Sequence, residues 1–309
     1  QLTGVSTVIF DEFHERSINA DLGLAFCLEI ASVLRNDLKI LVMSATLEIA
    51  AVSKLMQNAP IVSCEGKSFP VTPIWQTKPV VQDQIIGKLI IDVILEAISE
   101  NKGSILVFLP GEGEIIKLAS SLKNKVPDKC HVFPLYGRLN FKDQQKAIKP
   151  ILDGRKIVLA TNVAETSLTI EGIETVIDSG LSKRSIYDPN SGMARLVTQK
   201  ISKSEANQRM GRAGRLHPGI CYKLWSKAQD GSFSDFPPSE IENSDLTPFA
   251  LELALWGSNI NELALLTRPK KKALSEAYKV LEMLGAVNKQ LQITKNGRLL
   301  LKIPLHPRL

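Results

Sequence analysis

The sequence predicts an α/β protein: part of one open parallel sheet, a second complete α/β unit, and a closing α-rich region. Three observations carry this. Short apolar runs alternate with amphipathic stretches from Val8 to about residue 180. A turn-rich stretch from Glu65 to Pro73 interrupts that alternation and divides it in two. From about Asp235 the strand signals fade, and helix start and stop signals take over.

In the first unit, Val8–Phe10 reads as a strand, Asp21–Leu34 as a helix and Ile40–Met43 as a second strand. Ile49–Gln57 follows as a short helix and Ile61–Cys64 as a third strand. In the second unit the apolar run Ile85–Ile98 reads as a helix, with Lys88, Asp92 and Glu96 as its one solvated stripe. That run falls short of the roughly 20 residues a membrane span needs. Ile105–Leu109 is a fully apolar strand closed by Pro110-Gly111. A helix over 112–122, a strand over 131–135, a helix over 141–151 and strands at Ile157–Ala160 and Thr175–Ile177 follow. Ser185–Asp188 and Met193–Gln199 flank Pro189-Asn190-Ser191-Gly192, a hairpin turn. In the closing region Thr247 caps a helix that has Pro248 at its first position and Gly257 past its end. A second helix runs from about 273 to 284 and stops at Gly285. A Leu291–Ile293 strand and a helix from Lys295 complete a pattern that resembles a winged helix. The expected domains are 1–72, 73–234 and 235–309. The chain opens without Met and is in a strand within ten residues, so residue 1 reads as an internal point of a longer protein.

Composition bounds the function. At 309 residues, 44% hydrophobic and 23% charged, the chain can build two or three ordinary cores. A net charge of +6 and a pI of about 9.0 favour a polyanionic partner. Cysteines 27, 64, 130 and 221 form no CxxC pair, and the four histidines share no metal-ligand spacing with them. Free thiols in a reducing cytosol are expected, with no disulfide or zinc role and no membrane partner.

Four motifs carry chemistry. Asp11-Glu12-Phe13-His14 follows a buried strand, where ligands bind in open α/β sheets. One carboxylate there can hold Mg²⁺ through its water shell, and the next can take a proton from an attacking water; the bland reading is a solvated acidic turn. Ser44-Ala45-Thr46 stands at the end of the next strand, where hydroxyls often merely cap a helix. The run from Ala160 to Thr169 (ATNVAETSLT) packs ten residues with hydroxyl and amide groups that suit phosphate oxygens, more than a plain junction needs. Gln208–Arg215 (QRMGRAGR) places Arg212 and Arg215 three apart, on one face if helical, beside small residues that allow close packing. Two converging arginines suit a triphosphate whose charge shifts as the γ-phosphoryl group leaves. Nine Lys or Arg against two acids between Lys183 and Lys223 add a phosphate-backbone footprint. Gly66-Lys67-Ser68 is a decoy: a GxxxxGK[ST] loop needs glycine where Ile61 stands, and Phe69-Pro70 opposes a following helix. No other stretch fits that loop.

Taken in order, DEFH, SAT, TNVAETSLTI and QRMGRAGR resemble motifs II, III, V and VI of the DEAH-box helicases, and Ile105–Gly111 looks like motif IV. DEFHERS at Asp11–Ser17, GICYKLW at Gly219–Trp225 and PLHPRL at Pro304–Leu309 point to the bacterial HrpB branch. The resemblance implies two RecA-like domains, the first present only as its C-terminal part, then a partial winged helix. It implies ATP and Mg²⁺ as cofactors. Asp11 would bind the ion, Glu12 would polarise the attacking water, and His14 would couple to Gln208 across the cleft between the domains. Arg212 and Arg215 would be arginine fingers, with Arg209 structural. Ser44, Thr46 and Ser167 would sense the nucleotide, while Thr161, Asn162 and Thr166 would touch nucleic-acid phosphates, joined by Arg195 of the hairpin. Ile148 stands where some relatives stack an aromatic on adenine, which leaves base preference open. The expected partner is single-stranded or partly duplex nucleic acid, RNA before DNA, moved in the 3′-to-5′ sense. The alternatives are a non-catalytic nucleic-acid-binding fragment and a different RecA-type ATPase.

Overall fold

The structure is a computed structural model that describes residues 2–45, 49–64, 66, 68–165, 168–189 and 191–309. In chain order its main elements are β1 (Thr7–Phe10), α1 (Ile18–Val33), β2 (Lys39–Val42), α2 (Ile49–Leu55) and β3 (Val71–Gln76). Next come α3 (Ile90–Glu100), β4 (Ser104–Phe108), α4 (Glu112–Leu122), β5 (Cys130–Leu135), α5 (Phe141–Ile148), β6 (Arg155–Ala160) and β7 (Ile173–Asp178). The hairpin β8 (Leu181–Asp188) and β9 (Met193–Lys200) leads to α6 (Lys203–Gly211) and β10 (Gly219–Ser226). α7 (Thr247–Trp256), α8 (Lys271–Met283) and α9 (Lys295–Leu300) close the chain. Contacts group these into two compact units, one of residues 64–184 with 197–237, the other of residues 1–63, 185–196 and 238–309.

The unit of residues 64–184 and 197–237 is built on a six-stranded parallel sheet in the order β3-β10-β7-β4-β6-β5. Strands buried on both faces read as continuous apolar runs, as β4 and β6 do. Ile105, Val107, Ile157 and Leu159 face the cluster built by α3 and α4, while Leu106, Phe108, Val158 and Ala160 face the other side. Three expectations change here. β3 begins inside the stretch read as linker, with Val71 already paired to Gly219, and runs on to Gln76; Pro73 is tolerated because β3 is an edge strand. The helix read over 85–98 is broken at Ile86 (φ −93°, ψ 72°) and Gly87 (φ −168°, ψ −127°) and runs regularly only from Ile90. α5 ends at Ile148 because Lys149, which precedes Pro150, is extended.

In the other unit β1 and β2 pair in parallel, Thr7 opposite Lys39. α1 is apolar on two sides: Leu24 packs with Phe13 and Val52, while Leu22 and Ala25 join Phe249, Leu253 and Leu281 of the closing helices. A segment of the first expected domain therefore shares a core with the third. Ile61–Cys64 forms no strand; Ile61 and Val62 are exposed, and no ladder reaches them. Thr247 is the first residue of α7, and Asp245 does the capping, accepting its N–H (2.9 Å) and its hydroxyl (2.6 Å). The Leu291–Ile293 strand reduces to one antiparallel bridge between Val287 and Ile293. Asp245 also accepts from Arg308 Nε (2.7 Å), whose guanidinium donates to the Tyr187 hydroxyl on β8 (2.7 Å). All four cysteines are free. Among the described residues, no helix is long and apolar enough to cross a membrane.

Candidate nucleotide and nucleic-acid site

The acidic motif leaves β1 through two residues in the left-handed region, Glu12 (φ 49°, ψ 36°) and Arg16 (φ 52°, ψ 41°). Such backbone costs about 1–3 kcal/mol per residue and persists only where neighbours over-determine it. They do so here. Phe13 N–H donates to the Met43 carbonyl (3.0 Å), and Met43 N–H donates to that of Phe10 (2.8 Å). Arg16 binds buried Asp21 (3.2 Å) and the Thr267 hydroxyl (2.8 Å), and Ile18 N–H donates to Glu240 (2.8 Å). The turn is thereby clamped to β2 and to the segments around 240 and 267.

Within it, His14 is buried and its Nδ1 accepts the Ala45 N–H (3.3 Å). That leaves the ring proton on Nε2, which sits 3.3 Å from Glu12 Oε2. The DEFH and SAT segments are thus tied through a histidine, a contact that spacing could not reveal. The Ser44 hydroxyl is buried with no partner among the described residues, and Thr46 lies outside those residues. Asp11 is exposed, with one oxygen taken by Glu12 N–H (2.8 Å). The described residues hold no cluster of three metal-ligating side chains. A single carboxylate with a spare oxygen suits Mg²⁺ that arrives on phosphates and keeps several waters.

In the six-stranded unit, β6 ends at Ala160 and the chain turns through Thr161 and a tight Asn162–Ala164 turn, with Asn162 exposed. Thr166 and Ser167 lie outside the described residues. α6 starts at a capping box made by Ser202 and Glu205 and carries half-buried Gln208. Arg209 is wholly buried. It pairs with Asp178 (2.9 Å) and Glu165 (3.5 Å), donates to the Leu181 carbonyl (3.2 Å) and lies over the Phe108 ring at 4.9 Å. Two buried carboxylates therefore share one guanidinium. Burial, opposed by Arg209 and reinforced by Glu205 and Asp178, pushes the Glu165 carboxyl up to about 7.

Arg212 and Arg215 do not share an α-helical face, because α6 stops at Gly211 and residues 212–214 form a tighter turn. They converge all the same. Arg212 donates to the backbone carbonyls of Leu168 (2.9 Å) and Glu165, and Arg215 donates to the Thr169 hydroxyl (2.6 Å). The turn is close-packed at Gly214, where a Cβ would stand 2.5 Å from the Phe69 carbonyl oxygen; Gly211, by contrast, faces open space. Arg195 is exposed on β9.

The basic footprint of residues 183–223 is largely consumed internally. Lys183 pairs with Glu114, Arg184 with Glu205, Lys203 with Asp235, Arg209 with Asp178 and Lys223 with Asp230. Sequence reasoning missed Glu165, Asp178 and Thr169 as members of this arrangement. Asp178 carried a signal, an acidic residue closing an apolar strand, and the other two stood unexamined inside the polar run.

A parallel sheet with an arginine-bearing turn anchored on the loop after a central strand defines a RecA-like helicase core. Comparison with known proteins agrees. Residues 87–217 match the family model described as the helicase conserved C-terminal domain. Over the whole chain it is 41% identical to the ATP-dependent RNA helicase HrpB of Escherichia coli, of which it spans 38%. It is 36% identical to the ATP-dependent RNA helicase HrpA homolog of Haemophilus influenzae, spanning 24% of that protein. A crystal structure of the E. coli DExH-box NTPase HrpB superposes on 99% of this chain with a TM-score of 0.87 and 40% identity, over 38% of that chain. The chain belongs to the DEAH-box helicases, in their HrpB branch.

Proposed function

We propose that these residues are part of an NTP-driven RNA helicase that couples ATP hydrolysis to movement along a strand. The observation that carries the reading is the convergence of Arg212 and Arg215 on the loop of residues 165–169. That arrangement joins the groups suited to a γ-phosphoryl group to the loop suited to strand phosphates. The RNA preference is supported by the relatives, which are ATP-dependent RNA helicases.

In this reading Asp11 holds Mg²⁺ and Glu12 accepts the proton of the attacking water. His14 and Gln208, with Ser44, Thr46 and Ser167, relay nucleotide state. Arg212 and Arg215 stabilise charge as the phosphoryl group departs. Thr161, Asn162, Thr166 and Arg195 hold single-stranded or partly duplex RNA. The bound Mg²⁺ supplies charge neutralisation on the phosphates. The domain division 1–72, 73–234 and 235–309, with a winged helix last, and a cytoplasmic location belong to the same reading.

A variant separates the roles of the two acids. In protein that also carries a GxxxxGK[ST] loop, Glu12→Gln should lower ATP turnover by at least about a hundredfold, the low end of what a general base contributes, while ATP binding persists. Normal hydrolysis by that variant would remove Glu12 from the chemistry.

A further inference from the structure

The charge of this chain is concentrated in its last helices. Between Arg268 and Lys302 stand nine Lys or Arg (268, 270, 271, 272, 279, 289, 295, 298 and 302) against Glu276 and Glu282. That is a net +7 against +6 for the whole chain, so all other residues together come to −1. Among the described residues none of these nine has an ion-pair partner, whereas five of the nine between Lys183 and Lys223 do. All nine are exposed.

The best-defined part is α9. Lys295, Arg298 and Lys302 follow at i, i+3 and i+7, one face of a helix that its closing turn extends to Lys302, about 10 Å of stripe. The opposite face is fixed. Leu300 and Leu301 pack on the core, and Gly297 is so close to Ala286 that a Cβ would lie 2.2 Å from its carbonyl oxygen. Like charges at i, i+3 and i+4 cost a helix about 0.2–0.5 kcal/mol per pair. Nothing described within the chain offsets that cost, so the stripe calls for an anionic partner.

The partner's form follows from what is missing beside the charge. Proteins that grip single strands add aromatic side chains on which bases stack. Residues 268–309 hold one Phe, Tyr or Trp, Tyr278, and it packs against the core. A duplex hides its bases and presents phosphates. We propose that the basic surface of residues 268–302, centred on Lys295, Arg298 and Lys302, binds the phosphate backbone of duplex RNA, apart from the strand-binding loop of residues 161–169. This rests on the reading of the chain as part of an RNA helicase.

The test is a salt series of binding by the 309-residue chain to a blunt RNA duplex, with K295Q/R298Q/K302Q as the variant and thermal unfolding as the folding control. Each lost phosphate contact lowers the slope of log affinity against log salt by about 0.9, so the triple variant should lose about 3 from the slope. It should bind about a hundredfold more weakly near 50 mM salt. Its melting curve and its binding of single-stranded RNA should match the parent, whereas Arg195→Ala should weaken the single strand. Duplex binding by the triple variant within about twofold of the parent overturns the inference. So does a variant that loses the single strand instead, or a parent that fails to bind the duplex at low salt. None of these outcomes touches the Glu12→Gln test, which judges the helicase reading separately.

Discussion

Glu165 and Asp178, both buried, share the buried Arg209, two carboxylates to one guanidinium, and that imbalance has a measurable consequence. Asp178 Oδ1 accepts from both Arg209 and Gly180 N–H (2.9 Å each), while Glu165 meets Arg209 only at 3.5 Å; one oxygen of each carboxylate, Asp178 Oδ2 and Glu165 Oε1, has no hydrogen-bond partner among the described residues. Burial raises the Glu165 carboxyl to about 7 from an ordinary value of 4.5. Between those two values the folded chain holds a proton that the unfolded chain has released. Stability therefore falls as pH rises through the window. Glu165→Gln, which mimics the protonated form, should flatten the profile between about pH 4.5 and 7 and gain up to about 3 kcal/mol over the parent above it. Thermal unfolding across that range checks it; parallel profiles would show that Glu165 is ionised throughout.

At the scale of elements, the turn after α6 is specified by steric room as much as by charge. Gly214→Ala would drive a methyl group against the Phe69 carbonyl and the Val71 side chain, and should destabilise the unit by about 1–3 kcal/mol. Gly211→Ala, at a helical position facing open space, should be neutral or stabilise by about 0.5–1 kcal/mol. Denaturant midpoints of the two variants should move apart, and a shift together would refute the packing argument. The pattern of elements was largely legible, because β4 and β6 carry continuous apolar runs, Ile105–Phe108 and Ile157–Ala160. β3 was not, since Pro73 reads as a breaker unless the strand is known to lie at an edge. Nor was the partner of α1: its two apolar sides are visible in Leu22, Leu24 and Ala25, but periodicity says nothing about what covers them.

On the scale of the whole molecule, a count of basic residues misled where their pairing was invisible. Lys183 and Glu114 are 69 residues apart, yet their side chains meet at 2.8 Å, so local charge density overstated the anion-binding capacity of residues 183–223. The same count passed over residues 268–302, whose charge stays exposed. The motifs were found by their place in the pattern: DEFH, SAT and the run from Ala160 follow the ends of β1, β2 and β6, whereas Gln208–Arg215 lies on α6 and the turn after it. Their mutual contacts, His14 with Ala45 and Arg212 with the carbonyls of Glu165 and Leu168, depend on backbone groups that no sequence pattern marks.

The convergence of Arg212 and Arg215 on Leu168, Glu165 and Thr169 is proposed to serve hydrolysis, with Arg212 acting on the γ-phosphoryl group. The most direct measurement is RNA-stimulated ATP turnover by Arg212→Ala, in protein that carries a GxxxxGK[ST] loop, alongside its affinity for single-stranded RNA. An arginine finger contributes about 10³–10⁵ in rate. Arg212→Ala should lose at least about a thousandfold in turnover, with RNA affinity within a few-fold of the parent. Turnover near normal with RNA binding lost would contradict it, and would make Arg212 part of a phosphate-binding face.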